Sequence, residues 1–198
     1  MGTRDDILRA AGELLARHGV AGTSTRAVCE AAGVTAPTLY HHFGDKRRLL
    51  DAVVDAGFER YMADKRAAVL EGGDPVENLR RGWDAHVAFG LTHPAYYAVM
   101  FAPTEDGQVP RAAMAAMGFL LHLLSDVQAA GRLAVEADLA LQIAAGAAHG
   151  LTSLRLAWPD APWHEGASDA LREAVIAAVV SPEPVSPRRP DHLQEDQA

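Results

Sequence analysis

Between Thr25 and Lys46 the chain gathers side chains suited to a nucleic-acid duplex: Thr25, Arg26, Thr35, Thr38, Tyr40, His41, His42 and Lys46, with Ala36 and Pro37 among them. An arginine presents a planar fork that matches O6 and N7 of guanine, while hydroxyls and ammonium groups suit phosphate oxygens. His41 and His42 are neighbours on a helical pattern and cannot face one ion together, so they do not read as metal ligands. Tyr40, beside Leu39 and Phe43, serves equally well as a core residue on sequence grounds.

A second concentration lies at 83–101, where Trp83, His86, Phe89, His93, Tyr96, Tyr97, Met100 and Phe101 fall within one stretch. Ligand sites in helical proteins are apolar with a few convergent polar groups, and these residues supply both. Met117 and His149 are candidates to complete such a cavity, with Met114, Phe119, His122 and Trp158 as further contributors. An ordinary aromatic core is the rival reading. His86 and His93 share a helical face, but no additional Cys, His or Asp spacing makes a zinc site.

Catalytic constellations are missing from the sequence: it contains no phosphate-cradling glycine loop, no nucleophile elbow and no His-Glu-x-x-His. No motif calls for a cofactor or a metal, and the reading is of a non-enzyme. The lone Cys29 has no internal partner for a disulfide and reads as a small buried hydrophobe. No uninterrupted apolar run reaches the roughly 18 residues of a membrane span, and Met1 to Asp6 does not resemble a secretory leader, so a cytoplasmic, membrane-free protein is expected.

Helical periodicity supplies the elements that position these groups. Thr3 is placed to cap a helix bearing Ile7, Ala11, Leu14, Leu15 and His18, which Gly19 should end. Thr23 or Ser24 can cap a short second helix that Gly33 terminates in a left-handed conformation. Thr35 caps a third, with Pro37 in its first turn, and Gly44-Asp45 separates it from a long fourth helix carrying Leu49, Leu50, Val53, Val54, Phe58, Tyr61 and Met62. Val28, Ala31, Val34, Leu39 and Phe43 should form the small core between the second and third helices.

Gly72-Gly73-Asp74-Pro75 breaks the fourth helix, and later helices are expected at 75–92, 94–102, 109–130, 136–157 and 167–180. The result is an all-α chain of about nine helices. Its divisions are a helix-turn-helix head at 1–46, a helical body at 47–181 and a proline-rich, disordered tail at 182–198.

The halves differ electrically. The whole chain carries a net charge of −8, yet residues 1–50 hold seven Lys and Arg against five Asp and Glu, leaving the excess acid in the body. A slightly basic head on an acidic body fits a molecule that presents one end to a polyanion.

With those residues in view, Ala32-Gly33-Val34-Thr35, then Leu39-Tyr40-His41-His42-Phe43 and Lys46, closely resemble the signature of the TetR family of bacterial repressors. The likeness covers about residues 5–50 directly and extends beyond them only in length and helix layout. It implies a three-helix DNA-binding head joined by a long helix to a ligand-binding, dimerising body. It further implies a repressor that grips a palindromic double-stranded operator as a homodimer and is released by a small-molecule effector.

Carried over by position, the resemblance has Arg26 read guanine, while Thr25, Thr38, Tyr40 and Lys46 hold phosphates. Ala36 departs from the branch that gives the family its name, which has a base-reading glutamine there. At most an apolar contact to a thymine methyl remains, and the operator should differ. Dimerisation falls to the apolar stripe Leu139, Ile143, Ala147, Gly150, Leu151 and Leu154, with Leu171, Val175 and Val179 on the last helix, although an internal core would use the same stripe. A constitutive DNA-binding protein without an effector, and an activator rather than a repressor, remain open at this level.

Overall fold

The computed structural model describes residues 2–69, 73–101 and 109–183. Residues 70–72, the side chain of Tyr61 and residues 184–198 lie outside the described residues. The described chain forms nine helices: α1 (Thr3–Gly22), α2 (Thr25–Ala32), α3 (Ala36–Phe43), α4 (Lys46–Ala68), α5 (Pro75–Thr92), α6 (Pro94–Met100), α7 (Arg111–Ala129), α8 (Ala137–Ala157) and α9 (Ala167–Val179). The expected all-α class and every later helix are present, with shifts of a few residues at the ends.

The head is fixed by short-range chemistry. The Ser24 hydroxyl accepts from the Ala27 amide at 3.1 Å and so satisfies one of the unpaired donors of the first turn of α2. Gly33 takes φ 65° and ψ 32°, which lets its N–H return to the Cys29 carbonyl and frees the chain to turn into α3. Asp45 accepts from the Arg48 amide at 2.8 Å and starts α4.

One expectation in α1 needs correction: Gly2, not Thr3, is the N-cap. Gly19 ends the first helical run as expected, with φ 66° and ψ −172°, and a short second run beyond this bend carries α1 to Gly22. The buried Thr23 hydroxyl donates to the Gly19 carbonyl at 2.8 Å and covers the group this bend exposes.

Val28 and Leu39 are fully buried against Ile7, Ala11 and Leu15 of α1 and Leu49 of α4, so the recognition pair is held by the same core as its supports. Ala31 is exposed, contrary to expectation, while Val34 and Cys29 are half-buried at the edge of that core. The second turn of α2 therefore faces water at position 31, and the packing relies on Val28.

In the body, α5, α7 and α8 pack against one another, and α9 closes against α8 and α5. By length and composition α7 could cross a membrane, with a mean hydropathy of 1.3 over its best window. Here its apolar face, including Ala112, Phe119, Leu124 and Val127, forms part of the core. The end of α9 folds back onto the loop after α7: the Ala134 amide donates to the Val179 carbonyl at 2.9 Å and Ser181 donates to the Arg132 carbonyl at 2.8 Å.

Candidate nucleic-acid interface and effector cavity

Residues assigned to DNA contact are accessible on the head. Arg26, Thr35, Ala36, Pro37, Tyr40, His41 and His42 are exposed, while Thr25, Thr38 and Lys46 are half-buried. Tyr40 keeps 46% of its surface open, which removes the core alternative for that side chain. Leu39 and Phe43 anchor α3 from the opposite side. The helix is thereby fixed while its polar face stays free.

The free protein occupies these groups lightly. Arg26 donates to Glu30 at 2.9 Å, one turn along α2, and both side chains remain mostly in water. Thr35 and Thr38 hydroxyls lie 2.9 Å apart, and Lys46 Nζ reaches the Val20 carbonyl at 3.4 Å. Exposed pairs of this kind contribute little, so a phosphate or base edge can replace them. Arg4 adds a cation that the spacing argument missed, because α1 brings it over the Phe43 ring at 5.2 Å.

The body holds a half-open apolar cavity of about 280 Å³ bounded by α5, the end of α6, α7, α8 and α9. Trp83, His86, Phe101, Met117 and His149 line it as expected. Tyr97 stands behind the wall and holds its two histidines together: its hydroxyl lies 3.1 Å from His86 Nε2 and 2.8 Å from His149 Nδ1. A phenol has one proton, so Tyr97 donates to one ring and accepts from the other. Beyond it, His149 Nε2 lies 3.3 Å from the Ser153 hydroxyl.

Burial pushes the Tyr97 phenol up to about 12 and lowers His149 from its ordinary value, so both groups favour their neutral forms.

Phe89, His93 and Met100 are not on this wall. Phe89 and His93 lie one and two turns beyond His86 on α5 and stack on each other at 5.2 Å, with His93 exposed, while Met100 is buried in the main core. Met114, His122 and Trp158 are exposed away from the cavity, and of the further contributors only Phe119 lines it.

Sequence reasoning also missed Arg172, which reaches the wall from α9. Its guanidinium contacts Asp84, Asp169 and Glu173, and Arg80 of α5 grips Glu173 through bonds of 2.9 to 3.1 Å. Those two arginines hold the Glu173 carboxyl down at about 2. Nothing in the sequence distinguishes Arg172 from its neighbours, since the contact that ties it to α5, through Asp84, joins residues 88 apart.

The stripe assigned to dimerisation divides in two. Leu139 and Leu154 are exposed, and Ile143, Ala147, Gly150 and Leu171 are half-buried. Leu151, Val175 and Val179 are buried within one protomer, Leu151 and Val175 beside Trp83 and Val87, so they belong to its own core.

Residues 79–179 match the family described as tetracyclin repressor-like, C-terminal domain, and residues 7–53 match bacterial regulatory proteins, tetR family. The chain belongs to the TetR family. Within it, UidR, an HTH-type transcriptional regulator of Escherichia coli K12, is 30% identical over 95 residues, covering 48% of this chain and 45% of UidR. The class A tetracycline repressor from transposon 1721 of Escherichia coli is 50% identical over 50 residues, 25% of this chain and 23% of the repressor. These sequence matches thus span less than half of the curated relatives.

Over the full fold, a solved structure from Rhodococcus sp. RHA1, of unknown function, superposes with a TM-score of 0.75 at 24% identity, covering 91% of this chain and 96% of that one. The TetR-family fold accounts for the arrangement of a compact three-helix head below a cavity-bearing body.

Proposed function

We propose that the protein is a repressor that binds a palindromic operator as a homodimer and leaves it when a small molecule enters the body. The observation that carries this reading is the division of labour between a head with exposed Arg26, Tyr40 and His41 and a half-buried Thr38 on anchored helices and a body with a half-open apolar cavity. A helix of this width fits the major groove, and two heads related by a twofold axis require half-sites about one helical turn apart or a multiple of it. Residues 1–46 act as the DNA-binding unit and 47–181 as the effector-binding and dimerising unit. The exposed Leu139 and Leu154, with the small Ala147 and Gly150 between them, supply the meeting surface of two copies.

Communication between the units runs through α6. Tyr97 joins the cavity's histidines, and its neighbour Tyr96 faces the other way: its hydroxyl lies 3.5 Å from the Gly12 carbonyl of α1 and its ring lies against Gly57 of α4. Displacement of Phe101 or Tyr97 by a ligand is thereby passed to both helices that support the head.

The test is selection of genomic duplexes by the full-length protein, followed by affinity measurement on the recovered operator. Arg26→Ala should weaken that operator about tenfold or more and relax choice at one base pair per half-site. Lys46→Ala should weaken all sequences alike and reduce the salt slope by about one per monomer. A uniform loss across sequences in Arg26→Ala would remove the base-reading role.

A further inference from the structure

We propose that the effector is a small, neutral aromatic molecule of one ring or two fused rings, carrying a hydroxyl or carbonyl that joins the His86–Tyr97–His149 hydrogen-bond chain, and that the cavity rejects carboxylates. This deepens the regulatory reading above and rests on it for the consequence of binding, but the ligand chemistry follows from the cavity itself.

Size comes first. An apolar protein cavity of about 150 Å³ accepts benzene. The volume here is about 280 Å³, which takes a substituted ring or a fused pair. Trp83, Phe101 and Phe119 supply aromatic surface, and the Phe101 and His149 rings already pack with centroids 4.5 Å apart. A flat aromatic ligand continues such offset and edge contacts.

Polarity comes next. The wall's polar side chains are Trp83, His86, His149 and Arg172. The Trp83 N–H donates to Ser168 at 3.2 Å, and Arg172 is surrounded by Asp84, Asp169 and Glu173. The Trp83 N–H and the histidine pair can exchange a hydrogen bond without breaking an ion pair, and of these only the histidines can accept as well as donate. Tyr97 lets that pair adapt, because reversing its hydroxyl reverses which ring donates and which accepts. A ligand hydroxyl or carbonyl is accommodated by the same chain.

Charge decides the rest. A ligand carboxylate could approach Arg172 only by displacing carboxylates that already contact it, in a neighbourhood where Asp84, Asp169 and Glu173 outnumber Arg80 and Arg172. An ammonium group inside would meet the Arg172 guanidinium first, since the acids sit toward solvent with 45 to 70% of their side-chain surface open. A neutral His149, favoured by the burial that lowers it, completes a wall that matches an uncharged guest.

Calorimetric titration of the full-length protein near neutral pH with naphthalene, 2-naphthol, 2-naphthoate and 2-naphthylmethylammonium tests each element separately. The expected result is that 2-naphthol binds about tenfold tighter than any of the other three. In His149→Leu, with folding checked by circular dichroism, naphthalene should still bind and the 2-naphthol advantage should shrink to about threefold or less. Tightest binding by 2-naphthoate or by the ammonium probe overturns the neutral assignment, and equal affinities for naphthalene and 2-naphthol overturn the role of the histidine chain.

Absence of heat with all four probes overturns the aromatic class. Retention of a selected duplex is measured in parallel. Duplex binding without 2-naphthol selectivity sinks the ligand class alone, whereas 2-naphthol selectivity in a protein that retains no duplex sustains the ligand class and sinks the regulatory reading.

Discussion

In the head, the contacts that shape the recognition helices join residues three to five apart: Ser24 to Ala27, Cys29 to Gly33 and Val34, and Asp45 to Arg48. In the body, the contacts that shape the cavity join distant helices, Arg80 to Glu173, Trp83 to Ser168 and Tyr97 to His149, partners 93, 85 and 52 residues apart. The head keeps most of its working residues in water and buries their supports, while the body sets its working residues, mostly half-buried, along a cavity and leaves the carboxylates of its ion pairs toward the surface. A surface that must meet one kind of partner can be built locally. A cavity tuned to one guest needs walls from several helices.

Removing the anchor of α3 should break this contrast most strongly. Leu39→Ala takes away a fully buried side chain and should cost about 2–5 kcal/mol, lowering the melting temperature and abolishing operator retention, while naphthyl probes still bind whatever fraction of the body stays folded. A variant with normal operator affinity would show that α3 does not depend on this core.

The body counterpart is Gly90→Ala. A methyl there would stand 2.3 Å from the Thr152 side chain of α8 and 3.0 Å from the Tyr97 ring, so α5 and α8 must separate. The expected cost is about 1–3 kcal/mol, with probe affinity reduced and the head's DNA affinity at saturating folded protein unchanged. Equal losses at both sites would show that the units are not separable.

These sites also show what the sequence made legible. The caps, the Gly33 turn and the exposed face of α3 follow from residue chemistry over a few positions, so the head could be read almost residue by residue. The helices of the body were legible for the same reason. Its cavity was legible only in part, because Phe89 and Trp83 look alike in a periodic pattern and only the third dimension separates wall from core. Arg172 carried no local sign of its place, and Val179 looked like an interface residue until the fold closed over it.

Smaller effects sharpen the distinction. Ser24→Ala should cost about 1 kcal/mol by leaving the Ala27 amide without its acceptor, seen as faster hydrogen exchange confined to α2. Glu173→Gln should change stability by at most about 1 kcal/mol at neutral pH, because its partners are partly solvated. Its folded-state pKa of about 2 lies below the ordinary carboxylate value, so the stabilisation is complete above that ordinary value and disappears as the pH falls toward about 2. Melting temperatures of wild type and Glu173→Gln should therefore converge on acidification. A gap that widened would reverse the assigned sign.

The seat of Tyr96 limits how this molecule can change over generations. A methyl added at Gly57 would lie 2.9 Å from the Tyr96 ring, and one at Gly12 would lie 3.1 Å from its hydroxyl. Lineages that acquire new guests can rewrite the cavity wall one substitution at a time, since wall positions answer only to the guest and their neighbours. Positions 12, 57 and 96 answer to one another, and a change at any of them calls for a matching change elsewhere. Drift in the cavity is thus separated from drift in the seat of Tyr96, so under the regulatory reading proposed above the protein can exchange its signal while keeping the means of acting on it.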